Sequence, residues 1–190
     1  MFAIGVVDCG SNKFQRLDSI LEINNCKVCS IILLKANGYD FTKLDGLVIS
    51  GGPHLFTNPK TCKGLIQHFK FLDTLEIPTL GICLGHQALA IRHGSHAYLG
   101  AERRESETIE VITDHELFYG LPPRFPVQED HCEGVTLPAN FQLLASSASY
   151  EVEAMASSTY PHFGVQFHPE ISGEAGETII HNFCNIARKH

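Results

Sequence analysis

Cys83 stands between Gly81 and Gly85, where the apolar run Ile77–Ile82 gives way to a helical stretch beginning at Leu84. A strand, a nucleophile and a helix, with small residues two positions to either side, make the cysteine counterpart of the G-x-S-x-G elbow. Such a turn holds its nucleophile in a strained backbone conformation, and Cβ atoms at the flanking positions would clash. The sulfur then lies at a helix N-terminus, where unpaired amides and the helix dipole favour the attacking thiolate. A cysteine nucleophile needs a general base and a group to orient that base. His168-Pro169-Glu170, after the apolar run Phe163–Phe167, supplies both. Residues i and i+2 of an extended segment point the same way, so the carboxylate reaches the imidazole. Cys83 is expected to attack an acyl carbon, His168 to shuttle the proton, and Glu170 to fix the tautomer. The tetrahedral oxyanion needs aimed donors. The Leu84 amide is one by elbow geometry. Gly51-Gly52-Pro53 offers a second, because glycine lets backbone approach a substrate closely; a plain βα turn is an equal reading of that segment.

These residues must be positioned by a frame. Phe2–Asp8 is an apolar strand, followed by a Cys9–Asn12 turn in which Ser11 or Asn12 is placed to cap a helix. Phe14, Leu17, Ile20 and Leu21 recur at helical spacing to Ile23. Lys27–Leu34 and Leu44–Ser50 are further strands, and Leu65, Ile66, Phe69 and Leu72 predict a helix over Cys62–Leu75. The alternation predicts an α/β fold, with a mostly parallel central sheet and helices on both faces. In such a sheet the site lies beyond the C-terminal strand ends, where Gly51-Gly52 and Cys83 both fall. After Gly94 come shorter β-like runs, Glu107–Thr113, Phe125–Glu129 and Phe141–Ser146, broken by proline turns. They predict a smaller mixed or antiparallel β segment at one side. Ile179, Ile180, Phe183 and Ile186 mark a final helix over Gly176–Arg188.

The chain has 190 residues, 44% of them hydrophobic, which suits one domain spanning 1–190. A net charge of −7 without a basic block argues against a nucleic-acid surface. No apolar run approaches the roughly 18 residues of a membrane span, and no signal-peptide pattern opens the chain. Seven cysteines, an odd number in a chain too long to need staples, suggest a reducing, cytoplasmic setting. Cys26-x-x-Cys29 lies in a strand-like run without a second ligand pair, so it is read as two small strand residues rather than a metal site. The eleven histidines are scattered and are read mostly as surface or satisfied core groups.

Gly81-x-Cys83-x-Gly85-His86-Gln87, Ser50-Gly51-Gly52-Pro53 and Gly164-Val165-Gln166-Phe167-His168-Pro169-Glu170 together resemble the class I (triad) glutamine amidotransferases, over essentially the whole chain. The resemblance implies hydrolysis of the glutamine side-chain amide through a thioester on Cys83, with ammonia passed to a partner synthetase. It places the oxyanion role on Gly52 and Leu84 and substrate contact on Gln87. It also implies that backbone around His131 and Cys132 lines the glutamine pocket. No cofactor or metal is expected on this chain; ATP and magnesium belong to the partner. Glu116–Pro122, Asp130-His131-x-Glu133 and Pro138-x-x-Phe141-x-x-Leu144-Ala145 are most similar to the glutaminase subunit of two-subunit GMP synthetases. That family usually has Ser-His-x-Asp where this chain has Asp130-His131-x-Glu133, and His-Thr where it has Ser172-Gly173. The alternatives are the small subunit of an anthranilate or aminodeoxychorismate synthase, a free-standing γ-glutamyl hydrolase, and an inactive scaffold.

Overall fold

A computed structural model describes residues 1–190. The chain runs β1 (Ala3–Asp8), α1 (Phe14–Ile23), β2 (Lys27–Ile32), α2 (Leu33–Ala36), β3 (Gly46–Ile49), α3 (Cys62–Gln67), β4 (Thr79–Ile82) and α4 (Leu84–Arg92). It continues through β5 (Ala97–Arg103), β6 (Ser106–Val111), β7 (Arg124–Gln128), β8 (His131–Val135), β9 (Phe141–Ser146), β10 (Ala154–Ser157), β11 (His162–Val165) and α5 (Gly173–Lys189). Nine strands form one sheet in the order β2-β1-β3-β4-β11-β10-β9-β6-β7, and β5 and β8 pair separately. The β2-to-β11 half is parallel and the β10-to-β7 half antiparallel.

The strand period of two sorts the core into layers. Ile4 and Val6 of β1 and Val48 of β3 pack with Leu17, Ile20 and Leu21 of α1 and with Ile179 and Phe183 of α5. Val7, Leu47 and Ile49 point the other way, onto Leu65 of α3 and Ala88 and Leu89 of α4. Helices therefore cover both faces of the parallel half, as the alternating sequence pattern predicts.

Several boundaries differ from the sequence expectation, each for a local reason. The predicted strand Lys27–Leu34 stops at Ile32, and α2 begins with Leu33 and Ala36 buried one turn apart. The helix predicted over Cys62–Leu75 breaks after Gln67 and resumes as a 3₁₀ turn at Lys70–Asp73. Asn37 causes the break: its amide donates to the Gln67 carbonyl at 2.8 Å, and its carbonyl accepts from the Phe71 N–H at 2.9 Å. Those are the two groups that would have bonded each other had the helix continued. Ser11 accepts from the Lys13 N–H within the turn, and α1 starts without a side-chain cap. Cys26 precedes β2, with its sulfur 3.6 Å from that of Cys184 on α5, while Cys29 is a half-buried strand residue. Strands β5, β8 and β10 were not anticipated. Glycines weaken the pattern of the first two, and both lie under Tyr150: a Cβ on Gly100 would sit 2.5 Å from its hydroxyl, and one on Gly134 2.6 Å from its ring.

Candidate active site

The parallel strands end where β4 passes into α4, and Cys83 occupies the junction with φ +48° and ψ −103°. Side chains other than asparagine and aspartate rarely take positive φ, so this backbone is strained. Bonds on both sides hold it: the Cys83 N–H donates to the Val165 carbonyl at 2.9 Å, and the Cys83 carbonyl accepts from the Gln87 N–H at 3.0 Å. The flanking glycines are steric necessities. A Cβ on Gly81 would fall 2.6 Å from the Gly85 carbonyl, and one on Gly85 only 2.4 Å from the Ile49 oxygen. Glycine at 81 thus lets β4 turn tightly into α4, and glycine at 85 lets α4 sit against β3.

His168 follows β11 and is 3% exposed, as is Glu170. Its Nδ1–H donates to Glu170 Oε1 at 2.8 Å, and the ring lies beside Cys83, both side chains packing against Gly51 and lining one pocket. The sequence argument put this pair on an extended segment. Instead, Pro169 starts a 3₁₀ turn through Ile171, and the turn brings the carboxylate to the ring. The turn is pinned by Ser172, whose hydroxyl donates to the His168 carbonyl at 2.7 Å and accepts from the Gln128 N–H at 2.9 Å. Burial alone would lower the pKa of His168; Cys83 and Glu170 beside it outweigh that and push it up to about 10.

A pocket of about 380 Å³ opens over the sulfur. Gly52, Cys83, Gln87, His131, Cys132 and His168 line it, so most of the residues expected at the site come together there. Gly52 is wedged against the turn after β1, where a Cβ would meet the Cys9 oxygen at 2.4 Å and the Leu84 side chain at 2.9 Å. Leu84 is the first residue of α4, so its N–H lacks an intrahelical acceptor. Gln87 is fixed by bonds from its Nε2 to the Glu133 carbonyl and to Gln166 Oε1, each 3.1 Å. Burial raises the pKa of Cys132.

Sequence reasoning missed part of this wall. Glu133 is buried, and its carboxylate accepts the Phe56 N–H at 2.9 Å and the Thr57 N–H at 2.6 Å, tying the loop after β3 to β8. At the rim, Lys13 bonds Asp130 at 2.5 Å and Arg104 bonds the other oxygen of that carboxylate. The Asp130-His131-x-Glu133 motif was the available signal for both features. Gly51 was seen only as an oxyanion candidate, yet a Cβ there would strike His168 at 2.7 Å.

A parallel α/β sheet carrying a cysteine elbow that faces a histidine–carboxylate pair is the arrangement of a thiol-dependent amide hydrolase. Comparison with known proteins narrows the class. The family model for glutamine amidotransferase class-I matches residues 5–187. The chain is 40% identical over 149 residues to a glutamine-hydrolyzing GMP synthase subunit from Methanosarcina barkeri, covering 77% of this chain and 75% of the relative. It is also 40% identical over 144 residues to the protein of the same name from Pyrococcus abyssi, covering 74% of each. A crystal structure from Thermoplasma acidophilum, described as a candidate for the same GMP synthase subunit, superposes with a TM-score of 0.90 at 30% identity, covering 100% of this chain and 95% of that one. A Thermotoga maritima glutamine amidotransferase shares the fold, with a TM-score of 0.79 at 22% identity over 99% of this chain and 84% of that one. The chain belongs to the class-I glutamine amidotransferases and is a glutamine-hydrolysing enzyme.

Proposed function

We propose that the chain is the glutaminase subunit of a two-subunit GMP synthase, delivering ammonia to a separate ATP-using synthetase that carries the nucleotide and magnesium. The relatives at 40% identity are named as GMP synthase subunits, and the observation that supports the chemistry is His168 bonded to Glu170 beside Cys83 in one pocket. In this reading the Cys83 thiolate attacks the side-chain carbonyl carbon of glutamine. The Gly52 and Leu84 amides receive the oxyanion, as preorganised backbone donors do in acyl transfer generally. His168, protonated at neutral pH, gives its proton to the leaving ammonia as the C–N bond breaks, leaving a γ-glutamyl thioester. Water then attacks the thioester and His168 takes its proton. Glutamate departs and the thiolate–imidazolium pair is restored. Glu170 orients the ring throughout, and Gln87 with the backbone at His131 and Cys132 shapes the glutamine site. The whole chain acts as one domain in the cytoplasm; no helix is long and apolar enough to cross a membrane.

The test is incubation with a glutamine-derived affinity label followed by mass spectrometry. One adduct on Cys83 is expected, and none in Cys83→Ala. Labelling that persists in Cys83→Ala removes the nucleophile assignment. Turnover of γ-glutamyl peptides, with no stimulation of glutamine hydrolysis by a synthetase, would replace the subunit reading with a free-standing hydrolase.

A further inference from the structure

Behind the pocket wall lies a second group of ionisable side chains with no part in the acyl chemistry. Glu129, in the turn between β7 and β8, His131 at the start of β8 and Glu153 just before β10 are 2%, 6% and 0% exposed. One donor atom from each lies within 4.8 Å of the others. His131 Nδ1 is 2.8 Å from the Glu133 carbonyl. A carbonyl only accepts, so that nitrogen carries a hydrogen. Nε2 then faces Glu129 Oε2 at 2.8 Å. Both Glu129 oxygens, His131 Nε2 and Glu153 Oε2 make no aligned hydrogen bond. Two carboxylates and a neutral imidazole cannot stay buried face to face without positive charge between them. Two protons, one between Glu129 and His131 and one between the carboxyls, make the group neutral. A divalent cation would do the same, and metal analysis of the purified chain separates the two cases. Burial, then the facing Glu129, push the pKa of Glu153 up to about 9, although the Ser147 hydroxyl donates to it at 2.7 Å.

The groups around the trio add little compensating charge. Glu107 on β6 adds negative charge, partly met by the Ser149 hydroxyl at 2.7 Å and by Arg103 of β5 at 3.5 Å. Tyr150 packs on the His131 ring at 4.6 Å between centroids, with Tyr98 of β5 stacked beyond it. On the α4 side, burial holds His86 neutral, with its pKa down to about 3.

The trio closes a ring of bonds that includes the pocket. The Gln166 N–H donates to the Glu153 carbonyl at 2.8 Å, Gln166 Oε1 accepts from Gln87, and Gln87 donates to the same Glu133 carbonyl that His131 engages. We infer that Glu129, His131 and Glu153 form a proton-sharing clamp that fixes β8 against α4, so that Glu129 and Glu153 are positioning residues for glutamine binding. The inference rests on this pocket being the glutamine site.

The experiment combines steady-state glutaminase kinetics from about pH 6 to pH 9.5 with metal analysis and pH-dependent unfolding of the whole chain. Glu129→Ala strands the other two groups and is expected to raise KM for glutamine about tenfold with little change in kcat. Glu153→Gln keeps a hydrogen-bond donor but cannot ionise. It is expected to hold KM near the parent value at neutral pH and to remove the rise in KM expected of the parent toward pH 9. Equal loss of kcat and kcat/KM in Glu129→Ala, or a raised neutral-pH KM in Glu153→Gln, would overturn the clamp, as would a stoichiometric divalent metal in the purified chain. Unfolding needs no turnover. Glu153 is protonated more readily folded than unfolded, so its contribution to stability is full below about pH 4.5 and lost as pH rises through about 9. Glu153→Gln should flatten that decline. A parent that does not hydrolyse glutamine, together with a flattened curve in Glu153→Gln, would sink the site reading and spare the proton sharing; a curve unchanged by Glu153→Gln would sink the proton sharing itself.

Discussion

In the proposed mechanism one group transfers the proton and the other aims the ring, so removing the imidazole and removing the carboxylate behind it should have unequal consequences. His168→Ala is expected to lower kcat on the order of a thousandfold or more, since nucleophile and base act as a unit. Glu170→Gln should cost less, and it has a signature in pH. Burial disfavours the His168 imidazolium, and Cys83 and Glu170 beside it restore it, so the parent should keep its kcat until pH rises through about 10. Weakening the bond to Glu170 should move the alkaline limb of kcat to lower pH, and a pH–rate profile of the two proteins at saturating glutamine checks it. The same raised pKa stabilises the fold fully below about pH 6.5, and that contribution disappears as pH rises through about 10. Cys83, His168 and Glu170 were legible from sequence because chemistry restricts the residue types and the elbow restricts their neighbours. Gln166 and Glu133 were not. Each acts through a partner far away in the chain, Gln87 for one and Thr57 for the other, and apart from their places in the quoted motifs no periodicity or composition marks a buried polar residue that is satisfied by tertiary contacts.

Glycines separate the elements that must be tight from those that need not be. Gly85 on α4 meets β3 so closely that Gly85→Ala should cost about 2 to 3 kcal/mol, or prevent folding outright, because an added Cβ would strike the rigid Ile49 carbonyl. Gly64 in α3 has nothing within 4 Å of where its Cβ would sit, so Gly64→Ala should stabilise by about 0.5–1 kcal/mol through helix propensity. Urea unfolding of both variants tests the pair, and opposite signs are the expected outcome. A similar close fit explains where the last helix docks: at Gly176 a Cβ would fall 1.9 Å from the Pro169 oxygen, so α5 can approach the turn that carries Glu170 only with glycine there. The parallel half of the sheet was readable because its strands are uninterrupted apolar runs separated by helical stripes. The antiparallel strands, in the large sheet and in the β5–β8 pair, were readable only in part. Strand β10, Ala154–Ser157, is too short to show a pattern, and β8 carries Glu133 and Gly134 where a strand signal would want apolar residues. The break after α3 was invisible because a single distant asparagine makes it.

Across the molecule, the reacting groups are deep and the charges are at the rim. Cys83 and His168 are 5% and 3% exposed, whereas Arg104 and Asp130 reach solvent around the same opening. A chain of net charge −7 that concentrates Lys13, Arg104 and Asp130 at one mouth presents a polar, partly cationic ring to whatever covers it. Rim charges chiefly set the rate and salt dependence of association rather than its final strength. In the subunit reading, the isolated chain should release ammonia into bulk solvent, where a coupled enzymatic assay captures it. Adding the synthetase should make the mouth a passage between two proteins. Amide-labelled glutamine should then yield product with nearly undiluted label even when unlabelled ammonium is present. The protection should weaken as ionic strength rises from about 0.05 M to about 0.5 M, because screening over about 10 Å or less loosens contacts made by an exposed rim. Full dilution of the label at low salt would show that the two chains do not share this opening.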